Sequence, residues 1–224
     1  MKLSLGFSTC PNDTFIFDAM VHQKVDTEGL DFTTFLGDVE ELNNKALHQE
    51  LDITKLSYHA YAYLSDGYMI LDSGSALGAG NGPLLLSKKK VFPDEVDSLK
   101  IAIPGKYTTA NLLLGIAYPK AQLKTEYLFS DIEEAILSGE VDAGLVIHEN
   151  RFTYASRGLL KIIDLGEYWE ELTKELIPLG GIVIRRELPD EVKEKVNRVL
   201  KSSIEFAFNQ PKDVMPYVRQ YAQE

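Results

Sequence analysis

The 224 residues are 45% hydrophobic and 25% charged, the make-up of a globular chain long enough to bury a sizeable core. With 34 acidic against 23 basic residues the formal net charge is -11, which disfavours nucleic acid or an anionic membrane surface as partner, because both need a basic face. One cysteine excludes an intramolecular disulfide framework and any multi-cysteine metal site.

The N-terminal residues run at once into the polar turn Ser8-Thr9-Cys10-Pro11-Asn12-Asp13, without the apolar run of about 7–15 residues that a secretory signal needs. No stretch reaches the roughly 18 apolar residues of a membrane span, so the expected setting is the cytoplasm. In chain order, residues 2–7 read as a strand, 12–22 as a helix and 32–36 as a second strand. A helix over 39–48 carries Val39, Leu42, Ala46 and Leu47 on one face. A short strand follows at 53–56, a helix at 58–64, and apolar runs of strand length at 69–71 and 84–86. The glycine-rich segment 74–83 between those runs reads as a loop. After Lys88, Lys89 and Lys90 a second alternating series begins: strand 100–103, helix 109–117, strand 126–129, helix 131–137 closed by Gly139, and the apolar strand 143–147. Strands at 160–164 and 181–184 complete it, and two helices, 189–208 and 213–221, follow. Val192, Val196, Val199, Leu200 and Ile204 recur at helical spacing in the longer one.

Strand–helix alternation predicts α/β architecture with a mostly parallel sheet. Two series separated near residue 90 predict two lobes. The first comprises 1–90 plus 188–224 and the second 91–187, with the last helices returning to the first. Alternation alone leaves one continuous doubly wound sheet open as well.

Hydroxyl-rich turns stand where strands run into helices: at Ser8 to Asp13, at Ser57, at Thr108-Thr109-Ala110 and at Ser130-Asp131. Unpaired N–H groups and the macrodipole make a helix N-terminus attractive to carboxylate or phosphate, while the same residues also serve as plain caps. The acidic neighbours Glu133 and Glu134 leave Ser130-Asp131 as a cap. Among four histidines, His148 ends the fully apolar run 143–147 and precedes Glu149, which could orient it. An imidazole there can act as a general base near neutral pH; position alone leaves a hydrogen-bonded edge histidine equally open. His59, in a tyrosine-rich segment, is a second candidate, and His22 and His48 read as solvent-facing helix ends. Cys10 has no identifiable base beside it and reads as a small residue in a tight turn. Nucleophile-elbow, phosphate-loop and metal-ligand motifs are absent from the sequence.

Four stretches, Ser8-Thr9-Cys10-Pro11-Asn12-Asp13-Thr14-Phe15, Thr54-Lys55-Leu56-Ser57-Tyr58, Pro104-Gly105-Lys106-Tyr107-Thr108-Thr109-Ala110 and Gly144-Leu145-Val146-Ile147-His148-Glu149, together resemble the 1,4-dihydroxy-6-naphthoate synthase family of the futalosine route to menaquinone. Asp164-Leu165-Gly166, Trp169-Glu170 and Pro178-Leu179-Gly180-Gly181 extend the resemblance along nearly the whole chain. It implies a bilobed periplasmic-binding-protein-like fold with an interlobe cleft, used as a cytoplasmic enzyme. The implied reaction is conversion of cyclic dehypoxanthine futalosine to 1,4-dihydroxy-6-naphthoate by a lyase that takes neither a metal nor an organic cofactor. The family's base falls on His148 and its substrate contacts fall on Lys55, Leu56, Ser57, Thr109 and Ala110. The expected partner is a small anionic substrate. Members of that family continue for several tens of residues beyond this chain's last position, so C-terminal helices over the first lobe are expected to be cut short. Two other functions are compatible with the same fold: a non-catalytic solute-binding protein for a small organic anion, and the sister enzyme chorismate dehydratase.

Overall fold

A computed structural model describes residues 1–147 and 150–221. In chain order the elements are β1 (Lys2–Phe7), α1 (Pro11–Val21), β2 (Asp31–Leu36), α2 (Val39–Leu47), β3 (Ile53–Ser57), α3 (Tyr58–Tyr61), β4 (Tyr68–Ile70), β5 (Ala76–Gly78) and β6 (Leu84–Ser87). They continue as β7 (Ile101–Ile103), α4 (Thr109–Ala117), β8 (Lys124–Glu126), α5 (Ile132–Ser138), β9 (Ala143–Val146), α6 (Asn150–Thr153) and β10 (Leu160–Asp164). Last come α7 (Leu165–Thr173), β11 (Ile177–Arg185), α8 (Asp190–Asn209) and α9 (Pro211–Tyr221).

Two compact units result: Met1–Ala76 with Gly180–Glu224, and Leu77–Leu179. The first is built on a sheet ordered β2-β1-β3-β11-β4, with β5 pairing β11. β1 runs parallel to β2 and β3, and β11 runs antiparallel to β3 and β4. The second unit has the sheet order β10-β6-β9-β7-β8, parallel among β9, β7 and β8 and antiparallel at β6 and β10. Both sheets are therefore mixed, where alternation predicts mostly parallel ones. The strands that enter a sheet after the chain has changed unit, β6 and β11, run against their neighbours. The described residues form two sheets, which excludes the single continuous sheet.

The boundaries fall at 76/77 and 179/180, earlier than the expected 90/91 and 187/188. The apolar run 84–86 accounts for the first difference. It is a buried strand of the second sheet, hydrogen-bonded to β9 and β10, so the chain changes unit before it. The second difference arises because β11 is one strand from residue 177 to 185, twice the length its apolar stretch predicts. The predicted strand 126–129 sits instead at Lys124–Glu126. It lies at a sheet edge and is polar throughout, so it has no apolar signature.

In the first unit Leu3, Leu5 and Phe7 of β1 meet Phe17 and Met20 of α1, Ile182 and Ile184 of β11, and Val196, Val199 and Leu200 of α8. The apolar stripe of α8 is thus the face that covers this sheet. Ser203, one turn further along α8 and fully buried, donates its hydroxyl to the Ile16 carbonyl at 2.7 Å and accepts from the Met20 N–H at 3.0 Å. In the second unit Leu85, Ile101, Ile103 and Leu145 pack with Leu113 and Leu114 of α4 on one face of the sheet. Leu84, Leu86 and Val146 pack with Ile132 and Ile136 of α5 on the other. Strands buried on both faces read as continuous apolar runs, as 84–86 and 143–147 do. Among the described residues no helix is long and apolar enough to cross a membrane.

Ser203→Ala removes the polar link between α8 and α1 inside this core. It is expected to lower unfolding stability by about 1–3 kcal/mol in urea titration, since the buried Ile16 and Met20 groups lose a partner. An unchanged midpoint would show that α1 closes its own ladder there.

Candidate functional site

In the first unit the turn after β1 is organised by Asp13 rather than by Ser8 as a cap. The cap position of α1 is Cys10, whose carbonyl accepts from the N–H groups of Asp13 and Thr14. Ser8 gives both its N–H, at 3.1 Å, and its hydroxyl, at 2.8 Å, to one carboxylate oxygen of Asp13. The other Asp13 oxygen lies 3.4 Å from Lys55 Nζ, with both side chains nearly buried. Lys55 also donates to the Gly74 carbonyl at 3.2 Å. The ammonium expected to meet an anionic ligand therefore already has an internal counter-charge, which holds it in one orientation.

Lys55, Leu56 and Ser57 share β3 and, by strand alternation, face opposite sides of the sheet in turn. Leu56 is core, 1% exposed, so any contact it makes with a ligand runs through its backbone. Ser57 is 3% exposed and bound to Asn43 of α2. Its N–H donates to Asn43 Oδ1 at 3.0 Å, and Asn43 Nδ2 donates to Ser57 Oγ at 3.3 Å and to Glu40 at 2.9 Å. Asn43 occupies the buried stripe of α2, one turn after Val39. A polar residue in that stripe was the sequence signal for this support.

In the second unit Thr108 is the cap of α4: its hydroxyl oxygen accepts from Asn111 N at 3.3 Å and its carbonyl from Leu112 N at 3.2 Å. The N–H groups of Thr109 and Ala110 occupy the first helical positions, which have no intrahelical acceptor. Both residues are nearly buried. The Thr109 hydroxyl does not face a free site; it donates to the Leu179 carbonyl at 2.8 Å. Lys124 reaches Asn111 Oδ1 at 3.1 Å, and burial pushes its ammonium below the usual lysine range.

Sequence reading missed the glycine-loop anchor in this unit. Arg151 of α6 donates to the Gly82 carbonyl, to the Gly80 carbonyl at 3.2 Å and to Asp164 Oδ2 at 2.7 Å. Asp164 caps α7 through Gly166 N and Glu167 N, and Glu170 of α7 accepts from Gly80 N at 2.7 Å. A Cβ on Gly82 would stand 2.4 Å from Gly166 Cα, so both glycines are needed for the approach. The glycine-rich loop is thus tied from both sides. Asp164 followed three residues later by Glu167 is a helix-start pattern, and it marked the unpredicted α7.

His148 and Glu149 lie outside the described residues; the described strand before them, β9, is buried at all four positions between β6 and β7. His59 is half-buried beside the Tyr63 ring, centroids 5.6 Å apart. His22 is not a bare solvent-facing end: its Nδ1 lies 2.8 Å from the buried Asp18 carboxylate. Ser130 gives its hydroxyl to Asp131, and that carboxylate makes no cap bond to α5. Among the described residues no group of three or more His, Cys, Asp or Glu could hold a metal ion.

A family model described as menaquinone biosynthesis matches residues 3–224. A 1,4-dihydroxy-6-naphtoate synthase of Thermus thermophilus is 43% identical over 222 residues, covering 99% of this chain and 80% of its own length. A crystal structure of a protein from Archaeoglobus fulgidus matches with TM-score 0.91 and 42% identity, covering 98% of this chain and 81% of that one. The alkanesulfonate-binding protein of Xanthomonas axonopodis, solved with MOPS, matches with TM-score 0.70 and 12% identity over 98% of this chain and 78% of that one. At that identity the likeness carries the fold alone, and it identifies the two α/β units as periplasmic-binding-protein-like.

Arg151→Met leaves a buried Asp164 carboxylate without its cation. The expected loss of stability is about 3–5 kcal/mol by chemical denaturation. A loss below about 1 kcal/mol would show that cap bonds alone hold Asp164.

Proposed function

This chain belongs to the menaquinone-biosynthesis family, among the 1,4-dihydroxy-6-naphthoate synthases, and from that premise we propose that it converts cyclic dehypoxanthine futalosine to 1,4-dihydroxy-6-naphthoate without a cofactor. The enzyme is a lyase, and the observation that carries this is 43% identity to the Thermus synthase over 99% of the chain. The proposed setting is the cytoplasm.

The reaction needs two things from the protein: donors for anionic oxygen, and a base. The N–H groups of Thr109 and Ala110 are the donors proposed in the second unit, where the end of the helix dipole adds to two hydrogen bonds. The Thr109 hydroxyl has a different task, because its hydrogen is given to Leu179. The first unit would contribute the Ser57 hydroxyl and the Lys55 ammonium, with Leu56 fixing the strand between them through its burial. Lys55 is screened by Asp13, so it orients a ligand through direction more than through net charge.

His148 is the proposed base. The support is its place in the sequence, two residues beyond the buried central strand β9, and the chemistry: an imidazole accepts a proton near neutral pH with little tuning. Proton transfer from substrate to imidazole would leave the electron pair that expels the sugar-derived part, and the imidazolium would then return the proton. This sequence of steps asks the protein for one proton acceptor and fixed dipoles, which is why no cofactor enters it.

Two variants test the assignment. His148→Asn keeps a polar side chain that accepts no proton near neutrality; kcat is expected to fall by about 10²–10⁴-fold with substrate affinity changed far less. Near-normal kcat on cyclic dehypoxanthine futalosine would remove His148 from the mechanism and make His59 the next residue to replace. Thr109→Ala is expected to lower stability by about 1 kcal/mol while leaving KM within about threefold, since the hydroxyl serves Leu179. A tenfold rise in KM would show that the hydroxyl turns to substrate instead.

A further inference from the structure

We propose that Asn43 is a positioning residue that makes Ser57 a dedicated hydrogen-bond donor to the substrate. The inference rests on the reading of Ser57 as a substrate contact and adds the group that gives its hydroxyl a direction.

The argument is one of donor and acceptor bookkeeping. Asn43 is 0% exposed, so its amide has no water to turn to, and its orientation is fixed by its partners. Ser57 N–H is a donor only, so the atom of Asn43 that faces it, at 3.0 Å, is the carbonyl oxygen. That leaves the NH2 group facing Ser57 Oγ at 3.3 Å and a carboxylate oxygen of Glu40 at 2.9 Å. A carboxylate next to the NH2 confirms the choice, because the reverse orientation would set oxygen against oxygen. Ser57 Oγ therefore accepts from Asn43. Its own hydrogen points elsewhere, and among the described residues no acceptor takes it. The contrast with Thr109, whose hydrogen goes to Leu179, is direct.

The elements explain how this geometry persists. Asp38 caps α2 by accepting from the N–H groups of Glu40 and Glu41, which fixes the first turn of the helix and with it Glu40. Asn43 follows one turn later, facing β3, where the β11 pairing fixes Ser57 opposite Gly180. A serine hydroxyl on an open surface samples three rotamers and exchanges partners with water; here one of its lone pairs is engaged, and the hydrogen is left for a ligand.

The test is a double-mutant cycle read in KM and kcat for cyclic dehypoxanthine futalosine, with thermal unfolding measured for every variant. Ser57→Ala is expected to raise KM about 10- to 150-fold, the worth of one hydrogen bond to a charged oxygen. Asn43→Ser removes both amide arms, and Asn43→Asp keeps the shape while turning the donor into an acceptor that draws the Ser57 hydrogen inward. Each is expected to raise KM to a similar degree with kcat changed less, and neither to raise it further when Ser57 is already alanine. If one of the two fails to fold, the other gives the reading. Effects of Asn43 that persist undiminished in the Ser57→Ala background, or no effect on KM at all, would overturn the positioning role. Unchanged KM in Ser57→Ala would instead refute Ser57 as a substrate contact, and absence of product from the unmodified enzyme would refute the proposed reaction.

Discussion

The strand that carries Lys55 and Ser57 takes its register from a partner that arrives only after the whole second unit has been traversed. β3 has β1 on one side, parallel, and β11 on the other, antiparallel from Ile53 with Ile184 to Ser57 with Gly180. A shift of one residue in that pairing would exchange the two faces of β3, moving Lys55 into the core and Leu56 out of it. Ile182 and Ile184 prevent this, because the same two residues are locked among Leu3, Leu5, Phe7 and the stripe of α8. The burial that stabilises the first unit is therefore also what aims its polar side chains.

A second pattern runs through both units. Polar groups are held by other polar groups: Lys55 by Asp13, Ser57 by Asn43, the glycine loop by Arg151, and Arg151 by Asp164. Such pairs are costly to bury and costly to break, so their benefit lies in specifying one arrangement more than in net stability. The backbone follows the same logic, with Gly82 and Gly166 in contact because neither has a side chain to separate them.

Much of this was legible in the sequence. The apolar stripes of α2 and α8, the fully apolar runs that became β6 and β9, and the hydroxyl-rich turn before α4 all carry local signals, and the two-unit division follows from the two alternating series. What stayed hidden depends on residues far apart in the chain. The task of the Thr109 hydroxyl was hidden because its partner, the Leu179 carbonyl, is 70 positions away. Nothing near Lys55 in sequence announces its counter-charge, Asp13. β8 was misplaced because an exposed edge strand of Lys, Thr and Glu has no periodic apolar residues; α7 went unpredicted although Leu165, Tyr168, Trp169 and Leu172 stand at helical spacing and Asp164 and Glu167 mark its start.

The division into units also orders events during synthesis. The second unit is one contiguous stretch, Leu77–Leu179, and is complete as soon as it leaves the ribosome. The first unit is not: until residues 180–185 emerge, one edge of β3 keeps unpaired N–H and C=O groups, and until α8 follows, the apolar side chains of β1 lack their cover. A nascent chain at that stage presents a hydrophobic half-sheet with an open edge, the kind of surface that chaperones hold and that neighbouring chains can extend. Ribosomal pausing between the codons for Leu179 and Leu200 would thus lengthen the interval in which that edge and that face stay open.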